Sequence, residues 1–499
     1  MARGLLIDQN DTVILALEPV KKGERITNGD VTITVNEDIP QAHKVAINDI
    51  AVGSQIIKYG CNIGITTALI RKGDWVHSHN LKTCSEDMYE YHYEPNHNNL
   101  VVPPEKPIGT FNGYRRKGQY AGIRNYIAII PLVYCINGPI EKLARVANEL
   151  MPKNDSFDGF LALPHSCGCS QSGADLQNLA KIMAGIAQNP NMGGVVFVSL
   201  GCEVCTPAIV KPYLRDMDEE RVRFLVLQET EDEMEAGLKL CKELYNIVSN
   251  DNRETLTMDH LAIALNCGGS DGFSGITANP VVGKLTERLV AEGGSVVMSE
   301  VPEMFGAEHI LMQRAKDEQV YSDLVKMING YKEYFSRYGV EASGNSTQGN
   351  KTGGLTTMED KSLGCIQKGG RSMVSDVLPY AGRLRRPGFT LLTGPGSDLV
   401  SITAQIAAGA VLTVFTTGRG TPGGYAGPLF RLSTNNELAK KKPHWTDFNA
   451  GRIVDGEDLE SLGQELYKLI MDTVNGQLVT CNEKNGYYQL GFLRDGAIH

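Results

Sequence analysis

Between residues 12 and 76 short apolar runs alternate with turns, as TVILALEPV, VTITVNEDI, KVAINDIAVG, QIIKYG and ITTALIRKGDWV. Strands of that length and spacing predict a small β-barrel or β-clip. Segment 91–110 holds four prolines and little periodicity, which marks a linker. Beyond Gly113 the pattern changes to continuous apolar runs, YIAIIPLVYC, FLALPH, GGVVFVSLGCE and VRFLVLQE, separated by helical patterns such as PIEKLARVANEL. Runs of this kind, alternating with helices, predict an α/β unit whose parallel sheet is covered on both faces. From His260 the same grammar repeats in LAIALNCGG, GSVVMSEVPE, GFTLLTGPGS and AVLTVFTTGRG. The expected domains are therefore a β domain at 1–92, a linker at 93–110, a middle α/β domain at 111–255 and a second α/β domain at 256–499.

Composition fits that reading. A chain of 499 residues has room for about three domains, and 48 basic against 58 acidic residues leave a formal charge of −10, which argues against a nucleic-acid or anionic-membrane surface. No apolar run reaches the roughly 18 residues of a membrane span, and no secretory leader is evident, so a cytoplasmic location is expected. Thiols stay reduced there, and the 11 cysteines divide between buried apolar positions and site ligands. Glycine, at 54 residues, is in excess and clusters beside polar residues, as expected of turns and close ligand approaches.

The chemically rich residues fall just after strand candidates, where open parallel sheets place their ligand crevice. FLALPH leads into His165 and Cys167-Gly168-Cys169, GGVVFVSL into Cys202, Glu203 and Cys205, LAIALN into Cys267-Gly268-Gly269-Ser270-Asp271, and SVVMSE into Glu300 and Glu303. The cysteine pairs admit an iron–sulfur or zinc reading, although a mononuclear ferrous ion with mixed ligands suits them equally. His77 and His79, followed by Asn80, would share one face of an extended segment and reach one cation. Gly418-Arg419-Gly420-Thr421-Pro422-Gly423 matches a dinucleotide fingerprint literally, but Pro422 opposes the helix such a site needs. A loop gripping a carboxylate through backbone N–H groups and Arg419 fits better, with Lys361 and Lys368 adding positive charge. No Walker A or HExxH pattern is present, which removes the usual routes to phosphoryl transfer and zinc proteolysis.

On these residues the chain resembles the altronate/galactarate dehydratase family of sugar-acid hydro-lyases along its whole length. The resemblance is carried by Val76-His77-Ser78-His79-Asn80, Gly122-Ile123-Arg124-Asn125, His165 with Gly168-Cys169, Gly201-Cys202-Glu203 and the run from Cys267 to Pro280. It continues through Ser299 to Glu308, Lys361-Ser362-Leu363-Gly364, Phe415 to Pro422 and Thr480-Cys481-Asn482-Glu483. It implies an α/β multidomain protein with an N-terminal SAF-type β-clip domain, a middle domain and a Rossmann-like C-terminal domain. It also implies ferrous iron, with manganese or another divalent ion as an alternative and no nucleotide. The implied reaction is conversion of D-altronate to 2-dehydro-3-deoxy-D-gluconate in galacturonate breakdown, with galactarate or another hexarate or hexonate as the alternative substrate. The family tends to have N-P-S-P-G-N where this chain reads Asn345-Ser346-Thr347-Gln348-Gly349-Asn350, and losing both prolines is expected to loosen that loop.

Dehydrating an aldonate requires removal of a weakly acidic proton next to a carboxylate, stabilisation of the new charge and protonation of the leaving hydroxyl. The expected catalytic groups are His77, His79, His165, Glu203, Asp271 and Glu300. His77, His79, Cys202 and Glu203 are the expected metal ligands, and Asn80, Ser270, Lys361, Arg419 and Thr421 the expected substrate contacts. The expected partners are a small-molecule sugar acid and further copies of the chain in a homo-oligomer, with no nucleic acid and no membrane. The competing readings are an iron–sulfur dehydratase using Cys167, Cys202 and Cys267, and a non-catalytic sugar-acid sensor, which lacks a basic recognition helix.

Overall fold

The computed structural model describes residues 1–84, 90–341 and 346–496. The alternating N-terminal runs form two small sheets. One has six strands in the order Val31–Thr34, Arg25–Asn28, Ala2–Leu5, Val13–Ala16, Lys44–Ala46, Trp75–Val76, and the other joins Gln55–Lys58, Cys61–Thr66 and Leu81–Lys82. Ala2–Leu5 runs parallel to Arg25–Asn28, and the remaining neighbours are antiparallel. Ile14, Val20, Ile26, Ile33, Ile39 and Val45 fill the space between turns, the inward half of the alternation seen in the sequence.

The proline-rich segment is irregular but not a free tether. Asn96 donates its backbone N–H to Gln313, Val101 to Arg371 and Ile108 to Glu292, so the segment is strapped along the C-terminal domain. Thr110–Gly113 then pairs antiparallel with Glu254–Thr257, closing the middle domain at its base.

Both α/β expectations hold as parallel sheets with helices. The middle sheet runs Gly159–Ala162, Tyr126–Pro131, Met192–Ser199, Val222–Val226, all parallel. Every residue of Met192–Ser199 is buried, which is why that strand reads as an unbroken apolar run. The C-terminal sheet has seven parallel strands in the order Val374–Leu378, Gly388–Leu392, Ser295–Met298, Ala262–Cys267, Leu412–Thr417, Leu429–Ser433, Phe448–Asn449. Ala262–Cys267, the first strand of this sheet in chain order, thus sits at the centre, and later strands are added on both sides. Crossovers leave it in opposite directions, so the crevice of the sheet opens at its carboxyl end, at Cys267. Among the described residues no helix is long and apolar enough to cross a membrane.

The N-terminal domain docks on the helix Met358–Cys365, all eight residues of which are buried. Thr357 caps this helix by accepting from Asp360 N, and its hydroxyl donates to the carbonyl of Ile63 across the domain boundary. Lys44 and Lys58 each place Nζ 2.8 Å from a different oxygen of Asp360, with all three side chains no more than 1% exposed. Burial raises the carboxyl's tendency to stay neutral, but the two ammonium groups outweigh it and hold Asp360 far below the usual range. Lys44 also donates to the carbonyl of Gly354 at 2.8 Å.

Removing one member of a buried ion set leaves the others uncompensated, which costs more than replacing the set with apolar groups. Asp360→Asn is therefore expected to lower unfolding free energy by about 3–5 kcal/mol, measured by denaturant titration. The triple change Lys44→Met, Lys58→Met, Asp360→Leu is expected to cost less than the single one.

Candidate active site and metal centre

At the carboxyl end of Ala262–Cys267 four elements meet. Cys267 ends the central strand, and Glu300 and Glu303 follow the neighbouring strand Ser295–Met298. Lys361 and Cys365 come from the buried helix, with Lys368 in the turn that continues it. The Cys267 thiol lies 2.8 Å from Glu303 Oε2 and that of Cys365 3.0 Å from the same oxygen, with the two sulfurs 3.7 Å apart. Lys368 Nζ is 3.0 Å from Cys267 Sγ, and Lys361 Nζ is 2.8 Å from Glu303 Oε1. Among the described residues Cys267, Glu303 and Cys365 form the group of acidic, thiol or imidazole side chains whose ligand atoms all lie within 4.8 Å of one another.

The electrostatics divide the two glutamates. Burial pushes both up; Lys361 and Lys368 overcome it at Glu303 and bring that carboxyl down to about 2. At Glu300 burial, Cys267 and Glu303 act together and hold the carboxyl well above its usual range. Glu300 accepts from Cys267 N at 3.1 Å through Oε2, while its buried Oε1 has no hydrogen-bond partner. Its backbone is left-handed, with φ 69°, a conformation a non-glycine residue holds only where its surroundings impose it. Cys267 is held in the thiol form by its contact with Cys365, then by burial.

The loop after Cys267 carries the site outward. A Cβ at Gly268 would collide with Asp398 Oδ2, and Gly269 lies against Arg419. Asp271 is fully engaged, accepting from Thr434, Asn435, Ser274 and Phe273 N. A cavity of about 420 Å³ opens here between the domains, lined among others by Ala42, Asp271, Gly353, Arg419 and Lys441. The backbone N–H groups expected to grip a carboxylate are already used: those of Gly418 and Arg419 both donate to the carbonyl of Gly269, and Gly420 N to Thr417. The Arg419 side chain is exposed at the cavity. Thr421 accepts from Gly423 N within its own turn. Ser270 is buried, its carbonyl accepting from Asn350 Nδ2 at 2.8 Å. In the loop that lacks both prolines, Thr347 and Asn350 cap each other at the start of Gln348–Thr352, and Asn345 lies outside the described residues. A larger cavity of about 820 Å³ lies apart from this cluster, against Tyr331, Tyr334 and Asp175.

The histidines of the N-terminal domain do not sit on an extended segment. The strand ends at Val76, and the chain turns because Asn80 Oδ1 accepts from His77 N while Asn80 Nδ2 donates to the carbonyl of Trp75. His77 is consequently buried and stacked on Trp75 at 5.0 Å, whereas His79 is exposed. His43, absent from the expected set, packs edge-on to His77 at 5.1 Å, accepts from Trp75 Nε1 and faces the carbonyl of Thr352. Burial pulls His43 down to about 4, and burial with Lys44 pulls His77 down to about 3, so both are neutral.

His165, Cys202 and Glu203 belong to the middle sheet. Both ring nitrogens of His165 are engaged by backbone, at Pro131 O and Cys167 N, and Glu203 accepts from Ser199 and from Gly201 N of its own loop. The structure therefore does not gather His77, His79, Cys202 and Glu203 into one ligand set. Nor does it bring Cys167 and Cys202 to Cys267, whose sulfur neighbour is Cys365.

Three family profiles cover nearly the whole chain: "Altronate/galactarate dehydratase SAF domain" at 2–84, "D-galactarate dehydratase/Altronate hydrolase, second domain" at 113–249, and "D-galactarate/Altronate dehydratase, C-terminal" at 258–498. The chain belongs to the altronate/galactarate dehydratase family. It is 44% identical to an altronate dehydratase of Bacillus subtilis, with 98% of each chain covered. Identity to an altronate dehydratase of Escherichia coli is 41%, again over 98% of each chain. A galactarate dehydratase of the same organism is 33% identical over 96% of this chain and 94% of its own. Membership fixes the N-terminal unit as a SAF domain and the enzyme as a hydro-lyase.

Cys365, Lys44, Lys58, Asp360 and Asp398 escaped the sequence reading. For Cys365 a signal existed, since it directly follows the quoted Lys361-to-Gly364 motif and is spaced one helical turn from Lys361.

Two outcomes test this geometry. Gly268→Ala is expected to keep the fold but displace Asp398 or the loop, lowering turnover by at least tenfold in a dehydration assay. Because His43 is ordinary (6.5) in the unfolded chain and about 4 in the fold, the unfolded state binds more protons between those values. Its contribution is present at pH 7 and lost as pH falls from 6.5 to about 4. His43→Gln, which keeps both hydrogen-bonding directions, is expected to flatten the fall in thermal midpoint across that window.

Proposed function

We propose that this hydro-lyase is an altronate dehydratase, converting D-altronate to 2-dehydro-3-deoxy-D-gluconate and water. The observation carrying the substrate is the ordering of identities, 44% and 41% to altronate dehydratases against 33% to a galactarate dehydratase, at nearly full coverage in each case. The cavity beside Asp271 and Arg419 supports it, being roomy enough for a six-carbon acid and edged by the cations Arg419 and Lys441.

The donor set at Cys267, Glu303 and Cys365 fits a divalent metal. Two sulfurs and a carboxylate converge, and the unpartnered Oε1 of Glu300 lies buried next to them. Thiolate with carboxylate suits ferrous iron better than magnesium or calcium, which take oxygen ligands. Such an ion would supply a Lewis acid for the charge that develops next to the substrate carboxylate. The remaining work falls to side chains. Lys361 orients Glu303 by its ion pair, and Lys368 fixes Cys267 from the opposite side. Arg419 and Lys441 attract and orient the anionic substrate at the mouth. Burial of the cluster excludes water and strengthens each of these interactions. We also read the C-terminal sheet as a Rossmann-like variant, since its order matches the doubly wound pattern with one additional strand, Gly388–Leu392, inserted.

Anaerobic incubation with ferrous ion and a panel of hexonates and hexarates, following 2-keto acid formation, tests the proposal. The expected result is kcat/KM for altronate at least tenfold above that for galactarate. Cys267→Ser and Cys365→Ser are expected to lose bound iron and more than a hundredfold in turnover. Formation of no product from any acid overturns the reading.

A further inference from the structure

The cluster around Cys267 is closed to solvent: Glu300, Glu303, Lys361 and Lys368 are each at most 7% exposed. Proton transfer to a substrate that reaches the cluster needs a less buried group beside it. Asp398 lies against the loop that joins Cys267 to the Arg419 contact. It opens the helix Asp398–Ala408, is partly exposed, and presses Oδ2 against Gly268, between Cys267 on one side and the Gly269–Arg419 contact on the other. The position demands glycine at 268, because any Cβ would meet the carboxylate.

The other carboxylates nearby are spoken for. Glu303 is held by Lys361 and two thiols, Glu300 by the Cys267 amide, and Asp271 by four donors. Among the described residues no lysine, arginine or thiol lies within ion-pair or hydrogen-bond distance of the Asp398 side chain. The charged and titratable groups that act on it are Glu303, Lys361, Lys368, Glu300, Tyr425 and Arg431. Burial and then Glu303 push its carboxyl up to about 6, where it exchanges protons near neutrality.

We propose that Asp398 is a catalytic residue of the dehydration, the group that takes the proton from the carbon beside the substrate carboxylate and delivers it to the departing hydroxyl. The assignment rests on the reading of the protein as an aldonate dehydratase. The C2–H bond breaks, its electron pair forms the C2–C3 double bond as the C3–O bond breaks, and the proton passes through Asp398 to the leaving oxygen. One water leaves, the enol becomes the 2-keto acid, and Asp398 ends as it began. No oxidant or reductant is consumed.

The test compares wild type, Asp398→Asn and Asp398→Glu, each loaded anaerobically with ferrous ion and given D-altronate. Asp398→Asn is expected to lose about 10²–10⁴ in kcat, with iron content and thermal midpoint unchanged and KM within about threefold. Asp398→Glu is expected to recover part of the rate. Asp398→Ser, smaller than the native side chain, repeats the measurement if the amide disturbs the Gly268 contact. An Asp398→Asn enzyme keeping more than a tenth of the wild-type kcat overturns the assignment, as does one that loses its iron together with its rate. Wild type forming no 2-keto acid fails the dehydratase reading itself, an outcome seen before any variant is measured.

Discussion

Three consecutive charged residues in a helix without solvent are the constraint on which the site depends. Glu359, Asp360 and Lys361 lie in the fully buried Met358–Cys365 helix, and a buried charge is tolerable only when paired and hydrogen-bonded. Their partners come from different parts of the chain. Glu359 accepts from Thr83 and Cys84, Asp360 binds Lys44 and Lys58, and Lys361 binds Glu303. Two of the three are therefore satisfied by the N-terminal domain and the third by Glu303, beside the C-terminal sheet. Docking of the small domain and placement of Lys361 and Cys365 are one event, because the helix has no low-energy buried state without both sets of partners.

Close backbone approach is the second half of that assembly, and it accounts for much of the glycine excess. A side chain at Gly275 would strike the Tyr59 hydroxyl and the Cα of Gly364, so the N-terminal domain, the loop after Cys267 and the buried helix touch at a point with no room for a Cβ. Gly268 plays the corresponding part on the other face of the loop, where Asp398 fills the space. Gly268, Gly275 and Gly364 of the family motifs are thus contacts between different elements, while Gly168, Gly201 and Gly420 hold positive φ.

Much of this was legible in the sequence. Continuous apolar runs gave both parallel sheets, and residues just after them gave Cys267, Asp271, Glu300 and Glu303, because strand ends are where such sheets expose polar groups. The partners of those residues were not legible. Lys44 and Asp360 lie 316 residues apart, and no local periodicity reports a pairing of that range. Cys365 was hidden by its helix, whose amphipathicity is weak because it is buried on every side. The histidine pair was misplaced for a local reason: Asn80 folds back on Trp75 and His77, and turns an apparent strand into a loop. Asn three residues after His77 was the available sign, since its side chain competes for backbone N–H groups.

The charge balance of the cluster bears on why an acid with one carboxylate suits it. A divalent ion held there would displace the thiol protons, and with Glu300 neutral the two sulfurs and Glu303 would then face Lys361, Lys368 and the ion with one net positive charge. A single substrate carboxylate would neutralise that charge, and the desolvated pair would be worth more than in water. A second carboxylate at the far end of the substrate would leave the cluster with nothing further to offer. It would depend on Arg419 and Lys441, which lie at the exposed mouth where ion pairs contribute little. The proposed preference for a monocarboxylic sugar acid would then follow from the same pairing rule that buries the helix: each charge taken out of water must meet its opposite there.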